Sequence, residues 1–85
     1  EAANLKAYPN PASTQIQIDW DFLPPGLLDI ELLDQSGRVM YSERISTPIQ
    51  NQTKLDVSTY ANGMYFLRFI YEGRKSGALK VLIHK

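Results

Sequence analysis

Few side chains in this sequence could do chemistry. The only histidine is His84, next to the C-terminal residue. A metal site needs several converging ligands, and a catalytic imidazole needs a partner that orients it. His84 is expected to be an exposed strand end, and a frayed terminal histidine cannot serve a Ser/His/Asp triad. Asp34, Ser36 and Gly37 suggest a calcium loop, but the alternating oxygens and closing glutamate of an EF-hand are missing. Asp at a turn's first position satisfies its own backbone, so a turn is the better account. Asp19 and Asp21 flank Trp20 as a candidate acid–base pair. They fall at a strand exit, where neither desolvation nor a shared proton is expected. No catalytic residue, metal ligand or cofactor-binding residue is expected.

Two binding surfaces are candidates. Trp20, Phe22, Tyr41, Tyr60 and Tyr71 could form a stacking platform for carbohydrate, although single aromatics in strands usually serve a core. Residues 68–85 carry Arg68, Arg74, Lys75, Lys80 and Lys85 against Glu72 alone. Such a bias either discourages strand addition at a solvated edge or forms a basic docking face.

The elements that position these residues follow from composition and pattern. Eighty-five residues make one domain with a thin stability margin. Nine aromatics help a small core to close, since each buries on the order of 150–250 Å². Nine basic and nine acidic residues cancel, which removes the electrostatic case for a nucleic-acid partner. Cysteine is absent, so no disulfide or thiolate chemistry is available. No apolar run reaches the length of a spanning helix. The start, Glu1-Ala2-Ala3-Asn4, has no signal peptide and reads as the end of a linker from a longer protein.

Strands are expected at Leu5–Tyr8, Gln15–Trp20, Leu28–Leu33, Val39–Ile45, Thr53–Val57, Met64–Tyr71 and Ala78–His84. Ile16, Ile18 and Trp20 share one face, Tyr65, Leu67 and Phe69 point inward, and Leu79, Val81 and Ile83 share a face. Pro9-Asn10-Pro11, Pro24-Pro25-Gly26, Asp34–Gly37 and the loop around Pro48 break the chain. Ser58–Gly63 is expected as a compact turn with Ser58 placed to cap a single helical turn, and Glu72–Gly77 as a polar hairpin loop. About seven short strands without helical periodicity predict an all-β antiparallel sandwich, with a small open barrel as the alternative.

The order of the motifs carries a resemblance. Tyr8-Pro9-Asn10-Pro11 comes first, then Asp34 with Gly37-Arg38-Val39. Leu55-Asp56-Val57-Ser58, Tyr60 and Gly63-Met64-Tyr65 follow, and Lys80-Val81-Leu82-Ile83 with Lys85 closes the chain. Over residues 5–85 this series resembles the C-terminal sorting domain of type IX (Por) secretion cargo in Bacteroidetes-type bacteria. The resemblance implies an Ig-like seven-stranded sandwich without enzymatic activity or cofactor. It implies an N-terminal cargo that crosses the periplasm and is addressed to the outer-membrane translocon, ending at the cell surface or outside the cell. It implies a sortase-like peptidase that removes the domain near Ala2-Ala3-Asn4 and attaches or releases the cargo. Gly63, Tyr65, Lys80, Val81, Leu82, Ile83 and Lys85 are the recognition residues it suggests. The terminal strand, with its basic outer face, is then expected to bind by β-addition. The competing reading is an Ig- or fibronectin-like accessory module that binds carbohydrate or protein at the cell surface.

Overall fold

The structure is a computed structural model that describes residues 5–21, 23–47 and 51–85. The expected linker end at 1–4, Phe22 and the Pro48 loop lie outside the described residues. Seven strands follow in order: β1 (Lys6–Tyr8), β2 (Gln15–Asp19), β3 (Gly26–Leu33), β4 (Val39–Thr47), β5 (Gln52–Asp56), β6 (Gly63–Tyr71) and β7 (Arg74–Ile83).

They form two antiparallel sheets, ordered β1-β2-β5 and β4-β3-β6-β7. An Ig constant domain sets four strands against three. Here the fourth strand has moved to the other sheet and pairs with β3. The architecture is a sandwich and not a barrel. Where the sheets approach beside β7, the bridge is the isolated parallel pair Ala12–Ile83.

Alternation builds the core. Ile16 and Ile18 of β2 face Leu28, Ile30 and Leu32 of β3, Tyr65, Leu67 and Phe69 of β6, and Val81 and Ile83 of β7 within one cluster. All of these are buried, most of them completely. Each is worth roughly 1.5–3 kcal/mol of transfer free energy, which offsets the ordering of short strands. Trp20 joins this core at 3% exposure. On the outer face of the larger sheet, Arg68 bonds Glu31 at 2.6 Å and Arg44 bonds Asp29 at 2.8 Å.

Two local expectations are corrected. Glu72–Gly77 is not a loop: β7 already begins at Arg74, which pairs with Tyr71. The connection is a two-residue turn in which Glu72 and Gly73 both have positive φ, 50° and 79°. That backbone matches the strands' own twist, so the hairpin closes at once. A register shift at Phe69/Ile70 absorbs the extra residue and keeps Leu79, Val81 and Ile83 facing in. Gly77 therefore lies within the strand, where a side chain would press on Leu5.

Residues 58–63 form no helical turn. Ser58 is not the capping group; its amide donates to Asp56 Oδ1 at 2.9 Å, and the Tyr60 amide donates to the Val57 carbonyl. The carboxylate outcompetes the hydroxyl as an acceptor and closes an Asx-turn before a helix can start.

Candidate functional site

The motifs lie far apart in sequence and meet at one end of the sandwich. Antiparallel pairing fixes this. Gly63 pairs with Ile83, Leu33 with Phe66, Gln15 with Asp56 and Tyr8 with Gln17. The end of β1, the Asp34–Gly37 turn, the Asp56–Gly63 turn and the end of β7 therefore share one pole. Pro24-Pro25, the Glu72–Gly73 turn and the end of β4 share the other.

Each motif has a distinct part in the pole. Asp34 is the hub of its turn: Oδ1 accepts from the Ser36 amide, the Ser36 hydroxyl and the Arg38 amide, at 2.7–3.0 Å. The Gly37 amide donates to the Asp34 carbonyl, and Arg38 adds an ion pair at 3.3 Å. These bonds, the Ser36 hydroxyl first, hold the Asp34 carboxyl below the usual aspartate range. The turn reading stands, and all of this coordination comes from the chain itself.

Gly63 opens β6 at φ 155°, a backbone that side-chain-bearing residues rarely adopt. Two residues on, the Tyr65 ring is buried and its hydroxyl donates to the Ala61 carbonyl at 2.7 Å. This is the tyrosine corner of Ig-type sandwiches, made at the turn into β6. The Tyr60 ring lies 6.2 Å from it, and the Tyr60 hydroxyl donates to Met40 O.

Lys85 folds back onto the same turn. Its ammonium donates to the carbonyls of Ser58 and Tyr60, and its amide donates to Asn62 Oδ1 at 2.9 Å. The Ser58 hydroxyl, then its amide, and more weakly the Lys85 charge, lower the Asp56 pKa. On the other flank, Asn10 donates from Nδ2 to Lys80 O at 3.2 Å and accepts from the Leu82 amide at 2.9 Å. The Ala12 amide donates to Leu82 O at 2.8 Å, and the His84 amide donates to Ala12 O at 2.9 Å. The Pro9 and Pro11 peptides around Asn10 are both cis. A shallow depression of about 360 Å³ lies between Asp34-Gln35-Ser36 and Asn62–Tyr65.

The suggested recognition residues are thus brought together in two roles. Tyr65, Val81 and Ile83 are core residues, at 6%, 1% and 0% exposure. Lys80 is exposed and Leu82 half-buried on the outer sheet face, paired across to Phe66 and Met64. Asn62 and Ala12 were missed. An amide in a turn and an alanine in a loop carry no sequence signal of a long-range bond. The edge of β7 expected to accept a partner strand already has its backbone groups filled from the Lys80 carbonyl to the His84 amide by Asn10 and Ala12.

The other candidates lie elsewhere. His84 is exposed, and its amide belongs to the β7 edge. Asp19 accepts from Tyr8 and from Gln17, and Tyr8 is the larger cause of its lowered pKa. Trp20 is buried, while Tyr41, Tyr60 and Tyr71 are half-buried, so these four form no open platform. Among the described residues, no group of three acidic, histidine or cysteine side chains could hold a metal, and no helix is long and apolar enough to cross a membrane.

A sandwich in this topology, with its tyrosine corner and one motif-built end, is an Ig-like module. The model of the secretion system C-terminal sorting domain matches residues 6–84. The chain belongs to that family and is a sorting signal for type IX secretion. It marks a protein destined for the cell surface or extracellular space, and it implies contact with the secretion machinery and a cargo. No curated protein matches the chain at a significant level.

Proposed function

We propose that the motif pole is the face read by the outer-membrane translocon, and that the domain acts as a folded address with no catalysis of its own. The carrying observation is the convergence of four separated motifs on one end of the sandwich. Within that end, Tyr65, Val81 and Ile83 act by building the pole, and Gly63 and Lys85 fix its turn. Lys80, Leu82 and the turns at 34–37 and 62–64 supply the outward surface.

In this reading residues 5–85 are the signal and residues 1–4 end the linker from an N-terminal cargo. The cargo passes through the periplasm, and a sortase-like peptidase of the same system cuts near Ala2-Ala3-Asn4. The cargo is then attached to the surface or released. Trp20 is buried and so is withdrawn from the carbohydrate platform of the accessory-module reading.

The test is a fusion of residues 1–85 behind a passive reporter in a host with a type IX system. The reporter is expected in the medium or on the cell surface. Removing Leu82–Lys85 would also remove the buried Ile83, so a surface change is the cleaner probe. Lys80→Glu is expected to retain the reporter in the periplasm while leaving the domain's Tm within a few degrees of wild type. Retention of the unaltered fusion sinks the sorting assignment of this chain; normal export of Lys80→Glu removes Lys80 from the recognised face.

A further inference from the structure

β7 is an edge strand of the larger sheet, so among the described residues no strand of the sheet pairs with its outward backbone groups. From the Lys80 carbonyl to the His84 amide they are nevertheless bonded. Asn10 covers Lys80 O and the Leu82 amide with its side chain, and Ala12 covers Leu82 O and the His84 amide with its backbone. The side-chain amide of Asn10 uses one donor and one acceptor here, as a strand peptide would. Together with the Ala12–Ile83 bridge, the segment imitates two steps of a parallel strand. An open edge invites pairing with any exposed chain, and covering it with a loop is one way proteins prevent that. A sorting signal has two opposed needs: to stay unpaired in transit and to be taken up at its receptor.

We propose that Asn10–Ala12 is a latch over the terminal strand, and that the translocon takes β7 by strand addition only after this latch has opened. The proposal rests on the sorting function given above and adds a gating step to it. The latch suits that use. Of its four hydrogen bonds, the two made by the Asn10 side chain lie at the surface and exchange readily for bonds to water. Ala12 itself contributes only a methyl group to the core, so the latch carries little apolar side-chain surface of its own. Tyr65, Leu67 and Phe69 can keep β6 and β7 together while the outer edge is bare.

Two measurements test it. In amide hydrogen exchange, Asn10→Ala is expected to speed exchange at Leu82 about five- to ten-fold, the effect of losing one neutral bond, with Leu67 unchanged. Unchanged exchange at Leu82 would show that the amide of Asn10 is not a latch. The second measurement locks the segment. Bridge partners on adjacent strands lie within the disulfide range of about 4.4–6.8 Å between Cα atoms, so Ala12→Cys with Ile83→Cys can be crosslinked. In the reporter fusion, the oxidised double variant is expected to stay in the periplasm, while Asn10→Ala is exported at least as fast as wild type. Reduction should restore export of the double variant, which also shows that the two cysteines left the fold intact. Export of the oxidised form at the wild-type rate overturns the latch but leaves the sorting function standing. Loss of export in both the oxidised and the reduced form also counts against it, since the crosslink is then not the cause. A retained wild-type fusion would fail the sorting function itself.

Discussion

At the scale of single residues, the pole is held by polar atoms of two kinds: Asp34, Asp56 and Tyr65 bond within their own turns, while Asn10 and Lys85 reach partners remote in sequence. Tyr65 shows the split in what could be read. Its inward direction follows from alternation with Leu67 and Phe69. The destination of its hydroxyl, Ala61 O, depends on how the turn closes, which alternation does not encode. Tyr65→Phe keeps the ring and leaves a carbonyl without its donor, so it should cost about 1–2 kcal/mol in urea unfolding with little change in m. Asp34 was legible as a turn residue because Asp and Gly bracket it, and the structure agrees. Asn10 was legible only as part of a proline turn; nothing in the local sequence points its amide at Leu82. The carboxylates carry a pH prediction. The pKa values of Asp19, Asp29, Asp34 and Asp56 are all lowered by hydrogen bonds, led by Tyr8, Arg44, Ser36 and Ser58 respectively. A lowered folded-state pKa gives stability that is present above the unfolded value near 4 and is lost as the pH falls through the folded value. Tm should therefore stay level from pH 7 to about pH 5 and fall below pH 4. Asp34→Asn should flatten that acid limb in a series of melting curves, and an unchanged slope would remove Asp34 from its cause.

At the scale of elements, strand existence was readable, and so were ends marked by turn residues, such as Leu33 and Val39 around the Asp34–Gly37 turn; the start of β7 was not. Each core strand announces itself through apolar residues two apart, because one face must meet the opposite sheet. The β6–β7 connection went unread for a specific reason. Glu72, Gly73 and Gly77 look like one polar loop, yet only Glu72 and Gly73 turn the chain. Gly77 is a strand residue beneath Leu5, and the register shift at Phe69/Ile70 is invisible to a period-two pattern. Burial within a sheet and flexibility in a loop select the same residue type, and composition alone cannot separate them. The turn makes its own prediction. Gly73 has φ 79° and open space around it, so a substitution there is governed by backbone conformation and not by packing. Gly73→Ala should lower stability by about 1–2 kcal/mol, and Gly73→Asn by clearly less, since Asn tolerates the left-handed region. Equal losses in thermal unfolding would mean that the turn changes type instead.

At the scale of the whole molecule, the fold sorts its loops into two groups with different consequences. Sheet geometry places the Asp34–Gly37 turn next to Asn62–Tyr65, and β7 ends there because it is antiparallel to β6. The same pairing sends the Glu72–Gly73 turn to the far end, beside Pro24-Pro25-Gly26, where the Glu72 amide donates to Leu27 O. Both are short surface turns between paired strands, and both should tolerate added length at a similar modest cost in loop-closure entropy. Recognition, in contrast, depends on which pole a turn belongs to. A Gly-Ser-Gly insertion after Gly73 should leave export of a reporter fusion at the wild-type level. The same insertion after Ser36 should sharply reduce export, because it moves Asp34 and Gln35 relative to Asn62 and Gly63. Tm measured on both purified domains separates lost recognition from lost folding, and the two values should agree within a few degrees. If both insertions abolish export at matched stability, the translocon reads the whole surface and not one end. If neither does, the pole's convergence is a matter of folding alone, and the address lies in residues that the two turns do not touch.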